Sequence, residues 1–255
     1  MIDCTAVLDE LVASVDHAMD PRIDGDNVRC IQGDDDRGTV LLVGVVHDHP
    51  ASTYRVAHLI ETFPPDVLAV ELPPLAVPLF RIYAEDRYTP PRMGGEMSMA
   101  LQAFDDGRAV GIDAPNPRYF RRLATLLREE DLSLALVREL LTSSSIGIGQ
   151  ALACRIGAVL ASWTPLRLRV YDVFRHEATF LDTPASQAED EASHISQEEA
   201  LLRIIQAPRG MELIEDAREE SMATTLRDLR RDGDVTAVVG RNHIEPLYSL
   251  LDDSL

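Results

Sequence analysis

Two histidines occupy the same position in a repeated four-residue pattern near opposite ends of the chain. His47 ends Gly44-Val-Val-His47, and His243 ends Gly240-Arg-Asn-His243. A glycine ahead of each imidazole lets the backbone turn sharply after a strand, so that the ring can face a cleft. Two neutral imidazoles and one carboxylate form a common binding set for Zn, Mn, Fe or Co and leave open positions for water. Either histidine alone would be interpreted as an ordinary hydrogen-bonded residue, but the matched pair indicates a site.

Acidic residues follow two other apolar runs. Glu71 directly follows Val-Leu-Ala-Val, and Asp113 follows Ala-Val-Gly-Ile. A carboxylate at the end of an apolar strand is either exposed at the tip or buried, and a buried one needs a cation or a metal as partner. We therefore predict His47, Glu71 and His243 as metal ligands and Asp113 as a catalytic residue.

Glu96 and Arg218 are two further candidate catalytic residues, each with a plain structural alternative. Glu96 follows two glycines at the start of a predicted helix, where it accepts a proton from water or only interacts with the helix dipole. Arg218 lies on an apolar stripe of its helix and is expected to point inward. It then pairs with a buried acid or a substrate anion, or extends its head group into water. The stripe consists of Met211, Ile214, Arg218, Met222 and Leu229.

The residues after His47 lead into a helix. His49 is predicted to be an exposed loop residue rather than a ligand, because loops lie mostly at the surface. Ser52 is the predicted helix cap. The helix itself is indicated by apolar residues at helical spacing. These are Val56, Leu59, Ile60 and Phe63.

Four β-branched runs that stop abruptly predict buried strands. The succession of strand, helix and strand implies a right-handed parallel crossover. In open α/β sheets, ligands bind at the carboxyl ends of the parallel strands. His47, Glu71, Asp113 and His243 are therefore expected at one edge of a sheet. The runs are Thr39–Val46, Val67–Val70, Ala109–Ile112 and Val235–Val239.

The remaining segments predict helices around this sheet. Helices are expected at Glu96–Phe104 and Gly210–Arg231. Residues 119–209 are expected to form a helical insertion within the domain. Within the insertion, residues 182–199 are rich in Asp, Glu, Ala and Ser, which indicates a flexible, solvated stretch that ends in the capping pattern Ser196–Glu199. We predict one α/β domain over residues 1–255, with a mainly parallel sheet of four or more strands flanked by helices on both faces.

Two features bear on location. The apolar stretch Ile146–Trp163 is interrupted by polar residues and is short for a membrane span, so we expect a buried helix and no transmembrane segment. Cys4, Cys30 and Cys154 show no Cys-x-x-Cys spacing, so neither a disulfide framework nor a zinc knuckle is expected. With an acidic N-terminus that does not fit a secretory signal, a cytoplasmic protein in a reducing compartment is expected.

The charge balance excludes some classes of partner. The chain has 43 acidic and 24 basic residues, for a net charge of −19, and every basic residue is Arg. Such a surface repels nucleic acid and anionic membranes, because phosphate binding needs clustered cations. Dense negative charge is tolerated where salt screens it within a few ångströms, so adaptation to a salty cytoplasm, as in an extreme halophile, is the favoured interpretation.

The motifs together resemble the TraB/PrgY family of pheromone-shutdown proteins, which is related to the Tiki proteases and the GumN proteins. In order, the matching segments are Gly44-Val-Val-His47-Asp-His-Pro-Ala-Ser52, Pro65-Asp-Val-Leu-Ala-Val-Glu71-Leu72, Gly94-Gly-Glu96-Met97-Ser-Met-Ala100, Gly111-Ile-Asp113, Ala217-Arg218-Glu219-Glu220-Ser221-Met222-Ala223 and Val238-Val-Gly240-Arg-Asn-His243.

This resemblance implies a set of site residues and a chemistry. It carries over His47, Glu71, Glu96, Arg218 and His243 as site residues, and the Tiki branch implies a metalloprotease that uses manganese or cobalt. The chain departs from the family pattern at three places. Ala217 replaces an acid, His49 replaces a serine, and Asp113 is followed by Ala-Pro rather than Arg-Asp.

Three functions are therefore carried forward. The first is a metal-dependent hydrolase, peptidase-like, with Mn or Co (or Zn) at His47, Glu71 and His243, and a peptide or another small molecule as substrate. The second is a peptide-binding or sequestering protein without turnover. The third is a metal-free esterase-like hydrolase with His47 as base. A homo-oligomer is compatible with each. The chain shows no G-x-S-x-G elbow and no G-x-G-x-x-G after the first strand.

Overall fold

A five-stranded sheet forms the centre of the computed structural model, which describes residues 2–15, 20–23, 25–105, 107–129, 134–164, 167, 176–204 and 208–252. Its strands are β1 (Val28–Ile31), β2 (Val40–Val45), β3 (Val67–Val70), β4 (Arg108–Gly111) and β5 (Val235–Gly240). The α-helices of the described residues are α1 (Cys4–Val15), α2 (Pro50–Thr62), α3 (Val77–Glu85), α4 (Gly95–Ala103), α5 (Pro117–Glu129), α6 (Leu134–Trp163), α7 (Pro184–Ile204), α8 (Arg209–Leu229) and α9 (Ile244–Leu251).

The strand order is β1-β2-β5-β3-β4, and all neighbours except β1 and β2 run parallel. This confirms the predicted α/β fold and the four predicted strands as neighbours. β2, β3 and β5 are buried at every position, as expected of strands covered on both faces. The antiparallel edge strand β1 was not predicted, since it is short and half of its residues are only partly buried.

Helices cover both faces of the sheet. On one face, Leu41, Val43, Leu68 and Val70 pack in a core with residues of α1, α2, α3 and α4. On the other, their alternating neighbours pack with residues of α8 and α9. A smaller third cluster joins α5 to α8. These layers hold the strand ends, and the polar residues that follow them, in fixed positions.

The long helix α6 contradicts the prediction of a buried helix at Ile146–Trp163. Leu152, Ile156, Leu160 and Trp163 are all exposed. By length and composition alone, the segment Leu136–Trp163 could cross a membrane, and a minor part of it is buried. The helix packs on α3 and α8 but leaves these four apolar side chains uncovered, so its apolar composition reflects in part an uncovered face rather than a core position.

The stretch 182–199 also differs from its prediction, because residues 184–199 belong to α7 rather than to a solvated loop. At least one of its acidic residues forms contacts inside the protein. Glu191 is buried against α2, where both of its oxygens bond to Arg55 and one also accepts from Ser52. The composition that suggested solvation therefore forms a helix that packs through a buried ion pair.

A disulfide joins Cys4 of α1 to Cys30 of β1. The expectation that the cysteines form no disulfide is therefore wrong for this pair, and Cys154 is free. The two sulfurs come together because α1 packs beside the edge strand, a contact that Cys-x-x-Cys spacing cannot indicate.

Candidate metal centre

Glu71 and His243 meet at the carboxyl ends of neighbouring strands. Glu71 directly follows β3, and His243 closes the 3-10 turn Arg241–His243 that follows β5. Because β3 and β5 are hydrogen-bonded to each other, Glu71 Oε1 lies 3.2 Å from His243 Nε2. The backbone N–H of Gly240 donates to the other carboxylate oxygen, Oε2. Both side chains are buried.

A cavity of about 420 Å³, which we name the strand-end cleft, opens beside these two residues and His47. Gly240 lies between the three side chains. A Cβ added to Gly240 would lie 3.2 Å from Glu71 Oε2, 3.6 Å from His47 Nε2 and 3.8 Å from His243 Cδ2. The glycine therefore leaves open a space that all three side chains border. The cleft is also lined by Val45, Val46, His176, His194, Gln197, Glu198, Leu201, Arg241 and Asn242.

Glu96 holds the ring of His47 from behind. Its Oε1 lies 2.7 Å from His47 Nδ1, and its Oε2 accepts from the N–H of Asp48 at 2.9 Å. The start of α4 comes this close because of Gly95, where a Cβ would lie 2.3 Å from Asp48 Oδ1. The hydrogen bond to Glu96 outweighs burial, which acts in the other direction, and raises the pKa of His47 to about 9.

His243 is held in the same way by Glu219 of α8, whose Oε1 lies 3.0 Å from His243 Nδ1. Burial alone would lower the pKa of His243, but its hydrogen bonds to Glu219 and Glu71 raise it to about 10. A carboxylate at one ring nitrogen is the usual partner of a metal-binding histidine, because it fixes the ring and increases the basicity of the other nitrogen. Both imidazoles have this arrangement.

Arg218 supports Glu71 from α8. Its Nη2 donates to Glu71 Oε1 at 2.9 Å, and Nε and Nη2 form a two-pronged contact with Asp113 at 2.8 and 3.1 Å. Its Nη1 donates to both oxygens of Glu215, at 2.9 and 2.8 Å. All three nitrogens of the guanidinium therefore donate to carboxylates. The neighbouring carboxylates, Asp113 foremost, raise the pKa of Arg218 despite its burial.

The donor set suits a divalent metal in chemical type and in charge. Burial alone would raise the pKa of Glu71, but His243, Gly240 and Arg218 together lower it to about 2, so it is a carboxylate at neutral pH. Without metal, both imidazoles are protonated there. Metal binding requires neutral imidazole, and exchanging one proton on each ring for one divalent cation leaves the charge of the site unchanged.

The structure draws two of the three predicted ligands together and leaves the third further away. Ligands of one ion lie roughly 3–4 Å apart, since each bond is about 2.0–2.2 Å. Glu71 and His243 meet this condition. Among the described residues, the groups of three whose ligand atoms lie within 4.8 Å of one another are Glu215, Glu219, His243 and His49, His176, Asp190. His47 is half-exposed and is the ligand that would have to move.

Glu96, Asp113 and Arg218 lie behind the described lining of the cleft rather than in it. Arg218 pairs with Glu71 and Asp113, as predicted. Glu96 is buried, both of its oxygens are bonded to His47 or Asp48, and it does not line the cleft where water would be activated. All three guanidinium nitrogens of Arg218 are likewise bound to carboxylates, and Asp113 is one of these. These three residues position others, and a role in direct contact with substrate does not follow from their placement.

Two predictions about the loop after β2 are wrong. His49 is completely buried rather than exposed. It, rather than Ser52, caps α2, because its Nδ1 accepts from the N–H of Ala51 at 3.1 Å. Ser52 instead accepts from the N–H of Val46 at 2.8 Å and donates to Glu191.

Sequence reasoning missed Glu215, Glu219, His176 and His194. Glu215 and Glu219 are four residues apart and flank Arg218, so helical spacing from an inward arginine could have indicated them. His176 and His194 belong to the insertion, where nothing in the local pattern shows that they approach the strand ends.

A scan against protein-family models and searches of curated proteins and of solved structures give no significant match. The resemblance to the TraB/PrgY family therefore stands on the sequence motifs alone.

Proposed function

We propose that the strand-end cleft is the active site of a metal-dependent hydrolase, in which His47, Glu71 and His243 hold a divalent metal. The observation that carries this proposal is the common orientation of two imidazoles. Each has Nδ1 bonded to a carboxylate from a helix, Glu96 or Glu219, and each borders, together with Glu71, the space beside Gly240.

Neighbouring residues of the chain hold the side chains of this site in their orientations and determine their charge. Glu96 and Glu219 fix the imidazole rings, and Arg218 with the N–H of Gly240 fixes the carboxylate of Glu71. A bound divalent cation supplies Lewis acidity, which polarises a carbonyl group and lowers the pKa of water. Most of these supporting groups lie on strand ends and helices rather than on long loops, an arrangement that keeps the site rigid.

The lining and the volume of the cleft favour a small molecule or an extended peptide as substrate. Its lining combines apolar Val45, Val46 and Leu201 with the amides of Gln197 and Asn242. A mostly apolar wall with a few polar groups is typical of sites that bind small molecules, and the volume of about 420 Å³ is in their usual range. The resemblance to the Tiki branch supports peptide bonds as targets and Mn or Co as the metal, while the donor set also suits Zn.

The metal-free alternative, with His47 as general base, is disfavoured by the charge of the ring. With the pKa of His47 raised to about 9 by Glu96, the imidazole is protonated at neutral pH and cannot accept a proton. A peptide-binding protein without turnover uses the same cleft and is separated from the hydrolase by experiment.

The test is a peptide-library digest by purified protein, before and after removal of metal with a chelator and after addition of Mn²⁺, Co²⁺ or Zn²⁺. His47→Ala and His243→Ala should each lose metal and cleavage. His58→Ala is the matched control, because this histidine of α2 pairs with Glu10 and does not line the cleft. Peptide binding with no cleavage under any metal would identify the sequestering function and refute the hydrolase.

A further inference from the structure

A second group of histidines lies beside the strand-end cleft. His176 and His194 line the cleft, their ring centroids lie 4.9 Å apart, and the ring of the buried His49 lies 4.8 Å from that of His176. Asp190 of α7 completes the group. One ligand atom from each of His49, His176 and Asp190 lies within 4.8 Å of the others.

One ring nitrogen of His176 is buried without a hydrogen-bond partner in the described part of the chain. Its Nε2 lies 2.8 Å from the backbone carbonyl oxygen of His47. A carbonyl only accepts, so Nε2 carries a proton, and in the neutral ring Nδ1 therefore carries the lone pair. Nδ1 is buried and has no hydrogen-bond partner among the described residues. A buried polar atom left unpaired is costly and calls for an explanation such as an ion.

Asp190 presents negative charge to the same place. Its Oδ2 accepts from the N–H of Ala178 at 3.0 Å and from His49 Nε2 at 3.1 Å, and its Oδ1 lies 4.0 Å from His194 Nε2. A carboxylate and an imidazole lone pair both accept, so neither can satisfy the other. A cation between them satisfies both.

His49 does not act as a ligand here, because both of its nitrogens have fixed roles. Nδ1 accepts from the N–H of Ala51 to cap α2, so Nδ1 has no hydrogen and Nε2 carries the proton. That proton is donated to Asp190. His49 therefore orients the carboxylate, as carboxylate–histidine pairs do behind metal ligands.

We propose that His176 Nδ1 and Asp190 bind a second divalent transition-metal ion such as Zn²⁺, with His49 as the positioning residue. His194, whose Nε2 lies 4.0 Å from Asp190 Oδ1, is the third ligand and would have to turn toward the ion, because it is not within 4.8 Å of both other ligands. Two imidazoles and one carboxylate favour Zn²⁺ over Mg²⁺ or Ca²⁺, which prefer oxygen ligands. This site uses none of the residues assigned to the first metal and goes beyond the proposed hydrolase. The bond from His176 to the carbonyl of His47 joins the two sites through one loop.

The test counts Zn²⁺ in the full-length protein by equilibrium dialysis and elemental analysis. The wild type should hold two ions. A His47→Ala/His243→Ala variant should keep one, and a His176→Ala/His194→Ala variant should also keep one. Asp190→Asn keeps an oxygen that accepts from His49 and Ala178 but loses the negative charge. It should lower the affinity for the second ion at least tenfold. Circular dichroism of each variant checks the fold, and Co²⁺ absorption reports the ligand type in each site.

The outcomes separate the two proposals. If the His176→Ala/His194→Ala variant and Asp190→Asn bind Zn²⁺ with the same number and affinity as the wild type, the second site is refuted. If the His47→Ala/His243→Ala variant loses no ion while the His176→Ala/His194→Ala variant loses one, the second site stands and the first fails. Failure of the wild type to bind any Zn²⁺ overturns both.

Discussion

Arg218 donates to the one oxygen of Glu71 that also faces His243. Arg218 Nη2 lies 2.9 Å from Glu71 Oε1, and His243 Nε2 lies 3.2 Å from the same atom. The arginine therefore supports Glu71, a proposed metal ligand, and its other contacts are with Asp113 and Glu215. This contact restrains the carboxylate and, after His243 and the N–H of Gly240, helps to lower its pKa.

Replacing this arginine should affect stability as well as activity. Arg218→Met leaves the carboxylate of Asp113 without its cation and removes one of the two cations beside Glu71, and we expect the free energy of unfolding to fall by about 3–5 kcal/mol. Arg231→Met is the control, because its ion pair with Asp228 is exposed, and a change within about 0.5 kcal/mol is expected. Urea unfolding measures both. Equal stability of the two variants would show that the carboxylates do not depend on Arg218.

Gly240→Ala should block the space between the proposed ligands without unfolding the protein. The φ of Gly240 is −54°, which alanine adopts without strain, but its Cβ would press on Glu71 Oε2 at 3.2 Å. We expect loss of metal binding at the first site, measured by calorimetry. Gly149→Ala in α6 is the control, since a Cβ there meets nothing within 4 Å and alanine favours the helix. Unchanged metal affinity in Gly240→Ala would place the metal elsewhere.

The stability of the metal-free protein should depend on pH through the same residues. The pKa values of His47 and His243 are raised from 6.5 to about 9 and about 10 by their carboxylate partners. Their stabilising effect is complete below pH 6.5 and is lost as the pH rises through these values. Glu71 acts in the opposite window: with its pKa lowered from 4.5 to about 2, its contribution is lost as the pH falls through 2.

We therefore expect the chelator-treated protein to lose stability in urea between pH 7 and pH 10, more than a His47→Ala/His243→Ala variant does. At pH 7, metal uptake should release protons from both rings, seen as a dependence of the binding heat on buffer ionisation. A stability that stays constant to pH 10 would contradict the raised pKa values.

The parts of the site that could be predicted from the sequence are those set by the composition of a short local segment. Buried parallel strands are continuous β-branched runs, so β2, β3 and β5 were found almost to the residue, and with them His47, Glu71 and His243. The supporting contacts were not predictable in this way. His243 meets Glu219 across 24 residues, and Glu191 becomes a buried residue only because Arg55 lies beside it, 136 residues away. Composition indicated solvation there because it carries no information on distant partners.

The ion pair between Arg55 and Glu191 should be the main attachment of α7. Both side chains are buried, so Glu191→Met leaves a buried guanidinium without its counter-charge, and a loss of about 3–5 kcal/mol is expected. Arg55→Met/Glu191→Met should lose less than the sum of the single variants, because neither charge is then stranded. Glu189→Ala, exposed on the same helix, is the control. Additive losses in the double variant would show that the two charges do not interact.

Reduction of the Cys4–Cys30 disulfide should destabilise the protein. It closes a loop with a sequence separation of 26, for which chain entropy indicates a loss of roughly 3 kcal/mol. Urea unfolding with and without a reductant measures the difference. Cys4→Ser/Cys30→Ser should abolish the response and Cys154→Ser should keep it, because Cys154 is free. A wild type that does not respond to reductant would show that the bond does not form in solution.

The position of β5 has a consequence for how the protein is made. β5 lies between β2 and β3 and bonds to both, yet it comes after almost all other elements in the chain. Until Val235–Gly240 have left the ribosome, the nascent chain can hold only separate β1–β2 and β3–β4 pairs, whose open edges invite pairing with other chains. Insertion of β5 closes these edges and brings His243 to Glu71 in one late event, so no nascent chain that lacks β5 can assemble the proposed metal centre.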